Sequence, residues 1–576
     1  MDNVATRIIS SALTMYDIME QRVTIVEQLN MARQPFPQME VLYFCSPTRE
    51  SVSRIVADFP NGEAARYGNV HLFFTDAIND DLMEMLQSSP SLLGKIKTMK
   101  EINLEFMVAE SNAFHFDLKQ CLPLMYGQSP DHALPGIVAR KLATLCISLN
   151  EHPCIRYQGN SKYAQMIATG LNENMKAYKR ANPTVTFNGD DAHQDRERGQ
   201  ILILDRSFDP LSPIMHEYTY QCMAYDLLSI QGDNVIGYMS TNNKDEVVEK
   251  QALLGEQDDL WVELRHDHIA KVIETIKARM KDIMDHNSGA KLSKTKGSDM
   301  SISNMAAAVK SLPEFTQTMS KISQHVAVAQ QCMDVFGKQG LMDISQCEQT
   351  VSTGCDDSGK EVKGAKLVQM VIDALKSTRS KALKKRLVAV YVLSQRVASQ
   401  GDIDRLVQEA GLGAGDQQFI RNIQSLVKPD PQAETEKKSM FSSVFGSRRP
   451  SMKHDATAEG EYSDTRHVGL LKGLIEQMIS AELPVDKYPA MGPSISSSSE
   501  AKANAKSMRR YGANNRWGKR ESNITGSRYM TFVAGGVAYS ELRAGYELQS
   551  QHSKEIIIGG THFVSPDEYM DEVGMM

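Results

Sequence analysis

The stretch ILILDRSFDPLSP at residues 201–213 decides the fold class of this chain. It opens with four consecutive branched apolar residues, Ile201–Leu204, and the polar turn Asp205-Arg206 ends that run. A short continuous apolar run bounded by polar residues is typical of a buried strand in a parallel sheet. The sequence therefore predicts an α/β fold in which the Asp205 carboxylate lies at the carboxyl end of a central strand.

Similar short apolar runs occur towards both ends of the chain. They predict strands at Val23–Val26, Met39–Phe44, Val70–Phe74, Tyr529–Ala534 and Glu555–Ile558. Helical patterns at Ser51–Phe59 and Asp81–Leu86 separate the early strands, and this alternation predicts parallel sheets with helical crossovers. The chain opens on a helical pattern where such a fold begins with a strand, so we expect the first strand to precede Asp2.

The order of these patterns predicts three domains, the second of them discontinuous. The predicted parts are α/β domain 1 at residues 1–103, domain 2 at 104–233 and 459–576, and the inserted, mainly helical domain 3 at 234–458. Connectors are predicted at Asp285–Ser301, Lys428–Tyr462 and Gly492–Arg528. The end of the last connector is basic, which fits either a solvated loop or contact with an acidic membrane surface or partner.

The composition excludes several function classes. The chain of 576 residues carries 64 Lys and Arg against 71 Asp and Glu, and a net charge of −7 gives no general attraction to nucleic acid or anionic lipid. No apolar run approaches the roughly 20 residues that a membrane-spanning helix needs. The eight cysteines show neither a CxxC motif nor a zinc-ligand spacing, which favours free thiols in a reducing, cytoplasmic compartment. We expect neither a metal nor a cofactor.

Two carboxylates, Asp205 and Asp209, are the candidates for catalysis. Parallel-sheet enzymes place nucleophiles and metal ligands at the carboxyl ends of strands, so a phosphohydrolase that uses both residues is the enzymatic alternative. A phosphotransfer site needs a second carboxylate two residues after the first, and that position is Ser207. The structural alternative is a network of ion pairs and caps in which Asp205, Arg206 and Asp209 brace the loop. No other motif favours catalysis, so the sequence favours a binding protein.

A long helix with a regular apolar repeat is predicted inside domain 3. The apolar residues step alternately by three and four: Leu312, Phe315, Met319, Ile322, Val326, Ala329, Met333 and Phe336. This heptad seam favours left-handed packing against another helix. The other helix belongs either to the same chain or to a partner, and both alternatives stay open on the residues alone. Pro313 is either the first residue of the helix or a kink within it.

Four stretches together resemble the SM (Sec/Munc) family, in particular its syntaxin-binding exocytic branch. They are residues 201–213 with 225–228, 258–261 with 264–269, 535–537 with 541–543, and 558–562. They occur in order over nearly the whole chain. The resemblance implies an arch of three domains and a non-enzymatic regulator of membrane fusion. A tethering subunit of related fold in endosomes or lysosomes is the alternative within this class.

The resemblance also implies the partners. Family members hold a syntaxin-type SNARE in a cleft between the first and the helical domain, and later support assembly of the SNARE bundle. The chain would then be cytoplasmic and associate peripherally with the plasma membrane through its SNARE. Asp2 and Arg7 match ion-pairing positions of the cleft, and Glu27 matches another cleft position.

Two further sets of residues match binding positions of the family. The site for the N-terminal SNARE peptide, on the outside of domain 1, matches Met83, Ile96 and Glu101. The family carries an aromatic residue where Met83 stands, and methionine also fills apolar grooves. In the helical domain, Pro313 matches the hinge proline of the family, and Met319 and Val326 match positions implicated in binding the vesicle SNARE. The resemblance assigns all three to that contact.

Overall fold

The computed structural model describes residues 1–62, 64–190, 197–231, 234–241, 247–286, 302–395, 399–427, 465–493 and 526–576. The chain forms two compact units: unit 1 consists of Met1–Phe208, Gly473–Val537 and Gly545–Phe563, and unit 2 of Asp209–Lys472, Ala538–Ala544 and Val564–Met576. The predicted connector at Lys428–Tyr462, and most of the connectors at Asp285–Ser301 and Gly492–Arg528, lie outside the described residues. The three-domain boundaries stay a prediction.

A three-stranded parallel sheet lies near the start of unit 1. Its strands, in spatial order, are β1 (Val41–Cys45), β2 (Val70–Phe74) and β3 (Ile96–Glu101). The accompanying helices are α1 (Asn3–Ala12), α2 (Met15–Glu20), α3 (Arg49–Ala57), α4 (Asp80–Gln87) and α5 (Pro90–Leu93). Helix α3 connects β1 to β2, and α4 and α5 connect β2 to β3. Leu72, Phe74 and Ile55 lie in the core between this sheet and its helices.

The structure confirms two of the three early strands. Val70–Phe74 is a strand over the predicted residues, and Met39–Phe44 corresponds to β1. The strand predicted at Val23–Val26 is wrong, because residues 23–28 have no regular secondary structure. Val23 and Ile25 are 36% and 47% exposed. A β-branched segment favours a strand only where a neighbouring strand offers hydrogen bonds.

A seven-stranded sheet forms the centre of unit 1. Its strands are β4 (Met107–Glu110), β5 (Ala113–His115), β6 (Cys154–Tyr157), β7 (Gln200–Asp205), β11 (Ala490–Met491), β12 (Arg528–Ala534) and β14 (Glu555–Gly560). The spatial order is β11-β6-β7-β12-β14-β5-β4, and the five inner strands pair in parallel. Strand β7 pairs directly with β12 although the helical insertion separates them in sequence. This confirms a discontinuous α/β layer around the ILIL strand.

Helices α6 (Cys121–Tyr126), α7 (Leu134–Ser148) and α8 (Lys162–Ala181) accompany this sheet, and their apolar faces bury the central strands. Every residue of β7 and of β12 is buried. Burial on both faces explains why these strands are continuous apolar runs rather than alternating ones.

A tight turn at Gly535 and Gly536 follows β12. Both residues have positive φ angles, +93° and +96°, which residues other than glycine rarely adopt. Both backbone N–H groups donate to the hydroxyl of Thr561 at 3.1 Å. A Cβ atom on Gly535 would lie 3.0 Å from Arg206 and Leu122. The pair of glycines therefore serves close packing at the carboxyl end of the sheet.

Unit 2 is mainly helical. A small antiparallel sheet contains β8 (Ile230–Gln231), β9 (Val235–Thr241) and β10 (Val247–Leu253). The helices are α9 (Tyr220–Leu227), α10 (Asp259–Leu264), α11 (Ile269–His286), α12 (Ile302–Lys338), α13 (Leu341–Thr353), α14 (Ala365–Ser377), α15 (Lys381–Ser394), α16 (Gln400–Ala410), α17 (Ala414–Leu426) and α20 (Pro566–Gly574). The chain also passes from one unit to the other within β13 (Val537–Ala538), β15 (Phe563–Val564), α18 (Leu470–Ile479) and α19 (Tyr539–His552).

The predicted heptad seam coincides with α12, and the structure divides it. Ile322, Ala329 and Phe336 are buried, as a packed seam requires. A seam packed wholly within the chain is wrong at Val326 and Met333, which are 44% and 37% exposed. The buried stripe includes His325, Val328 and Cys332 instead. Pro313 lies inside the helix, so it is not the first helical residue.

Candidate partner-binding surfaces

The capping carboxylate of Asp2 fixes the start of α1. Its Oδ1 accepts the backbone N–H of Ala5 at 2.8 Å. Its Oδ2 accepts the backbone N–H of Ser46 at 2.8 Å and the hydroxyl of Ser51 at 2.9 Å. These bonds join α1 to the end of β1 and the start of α3. The carboxylate is therefore satisfied within the chain and positions the helix that carries Arg7.

Arg7 presents a cation on the surface of α1. Its side chain is 50% exposed and forms an ion pair with Asp117. Glu27 lies after α2, with its carboxylate 3.4 Å from the hydroxyl of Tyr67. Burial raises the pKa of Tyr67, so this hydroxyl remains a neutral donor. The sequence did not reveal Asp117 and Tyr67 as partners, because each is distant in sequence from the residue that it contacts.

An exposed apolar segment at residues 13–31 follows α1. Six of its large apolar side chains are between 44% and 66% exposed: Leu13, Met15, Tyr16, Met19, Ile25 and Met31. Scattered exposed apolar residues are normal, but a concentration of them marks interaction sites. Sequence reasoning missed this segment, because it assigned Val23–Val26 to a buried strand.

The three residues of the predicted N-peptide site lie on helix α4 and on strand β3 of the first sheet. Met83 is half-buried on α4, and Ile96 is half-buried at the start of β3. Glu101 is exposed at the other end of β3, and its carboxylate accepts the backbone N–H of Ile78 at 3.0 Å. Because each strand residue adds about 3.3 Å, Ile96 and Glu101 are about 16 Å apart. A peptide that contacts both residues therefore runs along the strand.

Two of the predicted vesicle-SNARE residues, Met319 and Val326, are described with their side chains, and both lie on the outward stripe of α12. Met319 is half-buried and Val326 is exposed, and Met333 continues the stripe seven residues further on. A spacing of seven residues is close to two helical turns, so the three side chains lie on one face. For Pro313 the structure describes the helical backbone only.

The inward stripe of the same helix includes a buried network of hydrogen-bonded polar side chains. Nδ1 of His325 lies 3.0 Å from the hydroxyl of Tyr220, and its Nε2 lies 3.1 Å from Oδ2 of Asp258. Oδ1 of Asp258 accepts the backbone N–H groups of Leu260 and Trp261 at the start of α10. Burial raises the pKa of Asp258, but the hydrogen bond and charge of His325 more than offset this, and the net pKa is lowered. These hydrogen bonds hold α12 against α9 and α10.

The catalytic candidate Asp205 is buried and fully used inside the sheet. Its carboxylate accepts the hydroxyl of Tyr126 at 2.7 Å and the backbone N–H of Ser207 at 2.9 Å, and it also accepts the hydroxyls of Ser161 and Ser207. Only 1% of the residue is exposed. Burial and the negative charge of Asp205 raise the pKa of Tyr126 far above its ordinary value. Asp205 is a structural acceptor that binds the ends of α6, α8 and β7 together.

Asp209 is also structural. Its carboxylate accepts the backbone N–H groups of Leu211, Ser212 and Leu470 within 3.2 Å, and the hydroxyl of Ser212 at 2.6 Å. The capping roles predicted for Asp205 and Asp209 are confirmed. In the described part of the chain, no group of three or more His, Cys, Asp or Glu residues is arranged to hold a metal ion.

Asp226, in the stretch 225–228, and His216, shortly after the stretch 201–213, have side chains that are only 10% and 4% exposed. Asp226 forms a bidentate pair with Arg386, at 2.7 and 2.9 Å. Nδ1 of His216 lies 2.8 Å from the buried carboxylate of Glu348. Burial raises the pKa of Asp226, but Arg386 and His216 more than offset this, so the net pKa is lowered. The most recognisable residues of the sequence therefore stabilise the fold rather than contact a partner.

Comparison with known proteins supports the resemblance. The model of the Sec1 family matches residues 1–572. The chain belongs to the Sec1 family. Among curated Sec1-family relatives, the chain is 31% identical to protein transport protein sec1 of Dictyostelium discoideum, over 99% of this chain and 93% of that protein. It is 26% identical to the SNARE-interacting protein KEULE of Arabidopsis thaliana, over 100% of this chain and 91% of that protein.

The fold agrees with a solved structure of the same kind. The Unc18 chain in the Unc18–syntaxin 1 complex of Monosiga brevicollis superposes with a TM-score of 0.79 and 25% identity. The match covers 100% of this chain and 94% of that chain. The predicted combination of parallel-sheet α/β layers and an inserted helical region is thus confirmed. In this Sec1-family chain, none of the described helices combines the length and apolarity that crossing a membrane demands.

Proposed function

We propose that this chain is a non-enzymatic SNARE chaperone. It binds a syntaxin-type SNARE and supports assembly of the SNARE bundle during vesicle docking and exocytosis. The observation that carries the proposal is the surface around α1 and α2, where the half-exposed Arg7 precedes the exposed apolar segment at residues 13–31. Membership of the Sec1 family and the likeness to Unc18 support the same function. We also propose that the chain reaches the plasma membrane peripherally, through its SNARE.

The first proposed contact combines charge with apolar area. Arg7 exchanges Asp117 for a carboxylate of the SNARE, while the apolar segment buries against SNARE helices. Asp2 and Glu27 belong to the same proposed surface, and Asp2 acts mainly by holding α1 in place. Ion pairs set the register of such a contact, and the buried apolar area contributes most of its affinity.

Two further contacts complete the proposal. The N-terminal peptide of the SNARE binds along β3, at Met83, Ile96 and Glu101. The vesicle SNARE binds the outward stripe of α12, where Pro313, Met319 and Val326 lie. The exposure of Val326 supports the second contact, because an apolar side chain on an otherwise packed helix is available to a partner helix.

The test of the first contact is a titration of the full chain with the cytosolic region of a syntaxin-type SNARE. We expect Arg7→Glu to weaken binding by about 2–5 kcal/mol, because reversal leaves the SNARE carboxylate unpaired in a desolvated interface. Arg54→Glu is the matched control, since Arg54 is similarly exposed in unit 1 and also pairs with a carboxylate, Glu50. Equal effects of the two variants would contradict the assignment of Arg7.

The peptide contact is tested separately. Ile96→Asp should weaken capture of the full-length SNARE more than capture of a fragment that lacks its extreme N-terminus. Because Ile96 packs partly against the core, the exposed Glu101 provides a second variant, Glu101→Lys, that leaves this packing intact. If both variants weaken both SNARE forms equally, the peptide does not bind at β3.

A further inference from the structure

A strongly basic surface lies around the turn between α14 and α15. The segment Lys376–Lys385 contains five basic residues and no acidic residue, in a chain whose net charge is −7. Lys376, Arg379 and Lys381 are exposed, and Lys384 and Lys385 are half-buried. We call these five side chains the α14–α15 basic surface.

The local structure concentrates this charge. The hydroxyl of Ser380 accepts the backbone N–H of Leu383 at 3.4 Å and caps the start of α15. Lys381 is thus the first helical residue, and Lys384 and Lys385 follow three and four positions later on the same face. The positive end of the helix dipole adds to the same region.

Two of the five cations are engaged within the chain. Nζ of Lys381 lies 2.7 Å from a carboxylate oxygen of Asp416, and Nζ of Lys385 lies 5.0 Å from the centre of the Phe419 ring. Within the described residues, Lys376, Arg379 and Lys384 form no ion pair. Three cations are therefore left to attract an external anion.

The surroundings indicate the kind of anion. Among described residues between positions 343 and 426, no large apolar side chain is exposed. A protein partner is normally anchored by apolar or aromatic side chains at the centre of its interface, and this surface offers none. A lipid bilayer with anionic headgroups requires no such anchor, because it attracts clustered Lys and Arg by charge alone.

We propose that the α14–α15 basic surface binds the anionic face of a membrane. This contact is additional to SNARE binding and does not depend on it. The chain would then reach a membrane by two routes, one through its SNARE and one through lipid headgroups. Each Lys or Arg near an anionic bilayer contributes about fivefold in affinity, so the three unengaged cations together contribute about 100-fold.

The experiment is flotation of the full chain with protein-free vesicles. Vesicles of neutral phosphatidylcholine are compared with vesicles that also contain phosphatidylserine. The variant K376Q/R379Q/K384Q should lower partitioning onto the anionic vesicles by about 100-fold. The matched control, K162Q/K176Q/R180Q, removes two lysines and one arginine that are exposed on α8, and should partition like the unmodified chain. Binding should also weaken steeply as salt rises from 0.1 M to about 0.5 M.

Equal partitioning of the two triple variants, or partitioning of the unmodified chain onto neutral vesicles as strongly as onto anionic ones, would overturn the proposal. The proposal would also be overturned if the variant K376Q/R379Q/K384Q lost binding to an acidic protein but still bound the anionic vesicles. If the triple variant unfolds, Lys376→Gln and Arg379→Gln alone should each weaken partitioning about fivefold. Because the vesicles contain no SNARE, a failure of the proposed SNARE binding leaves this test unaffected.

Discussion

The two faces of α12 differ in burial, although both carry apolar side chains. Its inner face buries Ile322, Ala329 and Phe336, and the hydrogen bonds of His325 extend to other helices. Its outer face presents Val326 and Met333, which are apolar and exposed. Both faces carry apolar residues at heptad spacing, so the repeat alone does not distinguish them. The difference is whether other elements of the same chain pack against the face, as they do on the inner one.

The comparison makes its largest prediction at Phe336. Phe336→Ala should destabilise unit 2 by about 3–5 kcal/mol, because removing a buried ring that packs 5.6 Å from the ring of Tyr218 leaves a cavity. Met333→Ala, on the outer face, should change stability by about 0.5 kcal/mol or less. Urea unfolding of the full chain measures both effects. Similar losses in the two variants would contradict the division of the helix.

A smaller loss of stability is expected in the buried polar network of Tyr220, His325 and Asp258. Asp258→Asn should cost about 1–2 kcal/mol at neutral pH, because it removes a carboxylate that several groups hydrogen-bond. The pKa of Asp258 is lowered in the folded chain, so its stabilisation is complete above the unfolded pKa of about 4 and is lost as pH falls through the lower folded value.

The measurement is the difference in unfolding free energy between the unmodified chain and Asp258→Asn at several pH values. We expect a constant difference above about pH 5, which shrinks below about pH 4. Asp334→Asn, at an exposed position of α12, is the control and should show a small difference at every pH. A difference for Asp258→Asn that grows on acidification would show that its carboxylate does not stabilise the folded state.

The smallest effect on stability is expected on the outer face. Val326→Asp should alter the free energy of unfolding by about 0.5 kcal/mol or less, because the side chain is 44% exposed. The same change should weaken binding of a vesicle SNARE about tenfold, since it places a charge in an apolar contact. Val485→Asp, at an exposed position in unit 1, is the control in the same titration. If both variants bind normally, the outer face is not the contact.

Much of the fold could be predicted because burial on two faces leaves a clear pattern. Strands β7, β12 and β14 are continuous apolar runs, and their pairing follows from parallel-sheet connectivity. Val23–Val26 has the same residue types, but among the described residues it pairs with no strand, and the local sequence does not indicate this. The burial of α12 was predicted only in part, because its buried stripe includes His325, whose partners Tyr220 and Asp258 are distant in sequence.

The candidate surfaces were harder to predict than the fold. The motif residues that reveal the family, such as the buried Asp205 and the largely buried Asp226, hold the structure together. The residues assigned to partners, such as Arg7 and Val326, lie at ordinary-looking positions and were found through the resemblance. Their partners within the chain, and the exposed apolar segment at residues 13–31, appear only when the chain is folded.

Hydrogen–deuterium exchange of the full chain, with and without the cytosolic region of a syntaxin-type SNARE, tests most directly whether this protein works by binding. Our account predicts slower exchange at residues 3–31 when the SNARE is added, with unchanged exchange in the buried strand β7. Unchanged exchange over residues 3–31 at saturating SNARE would contradict it.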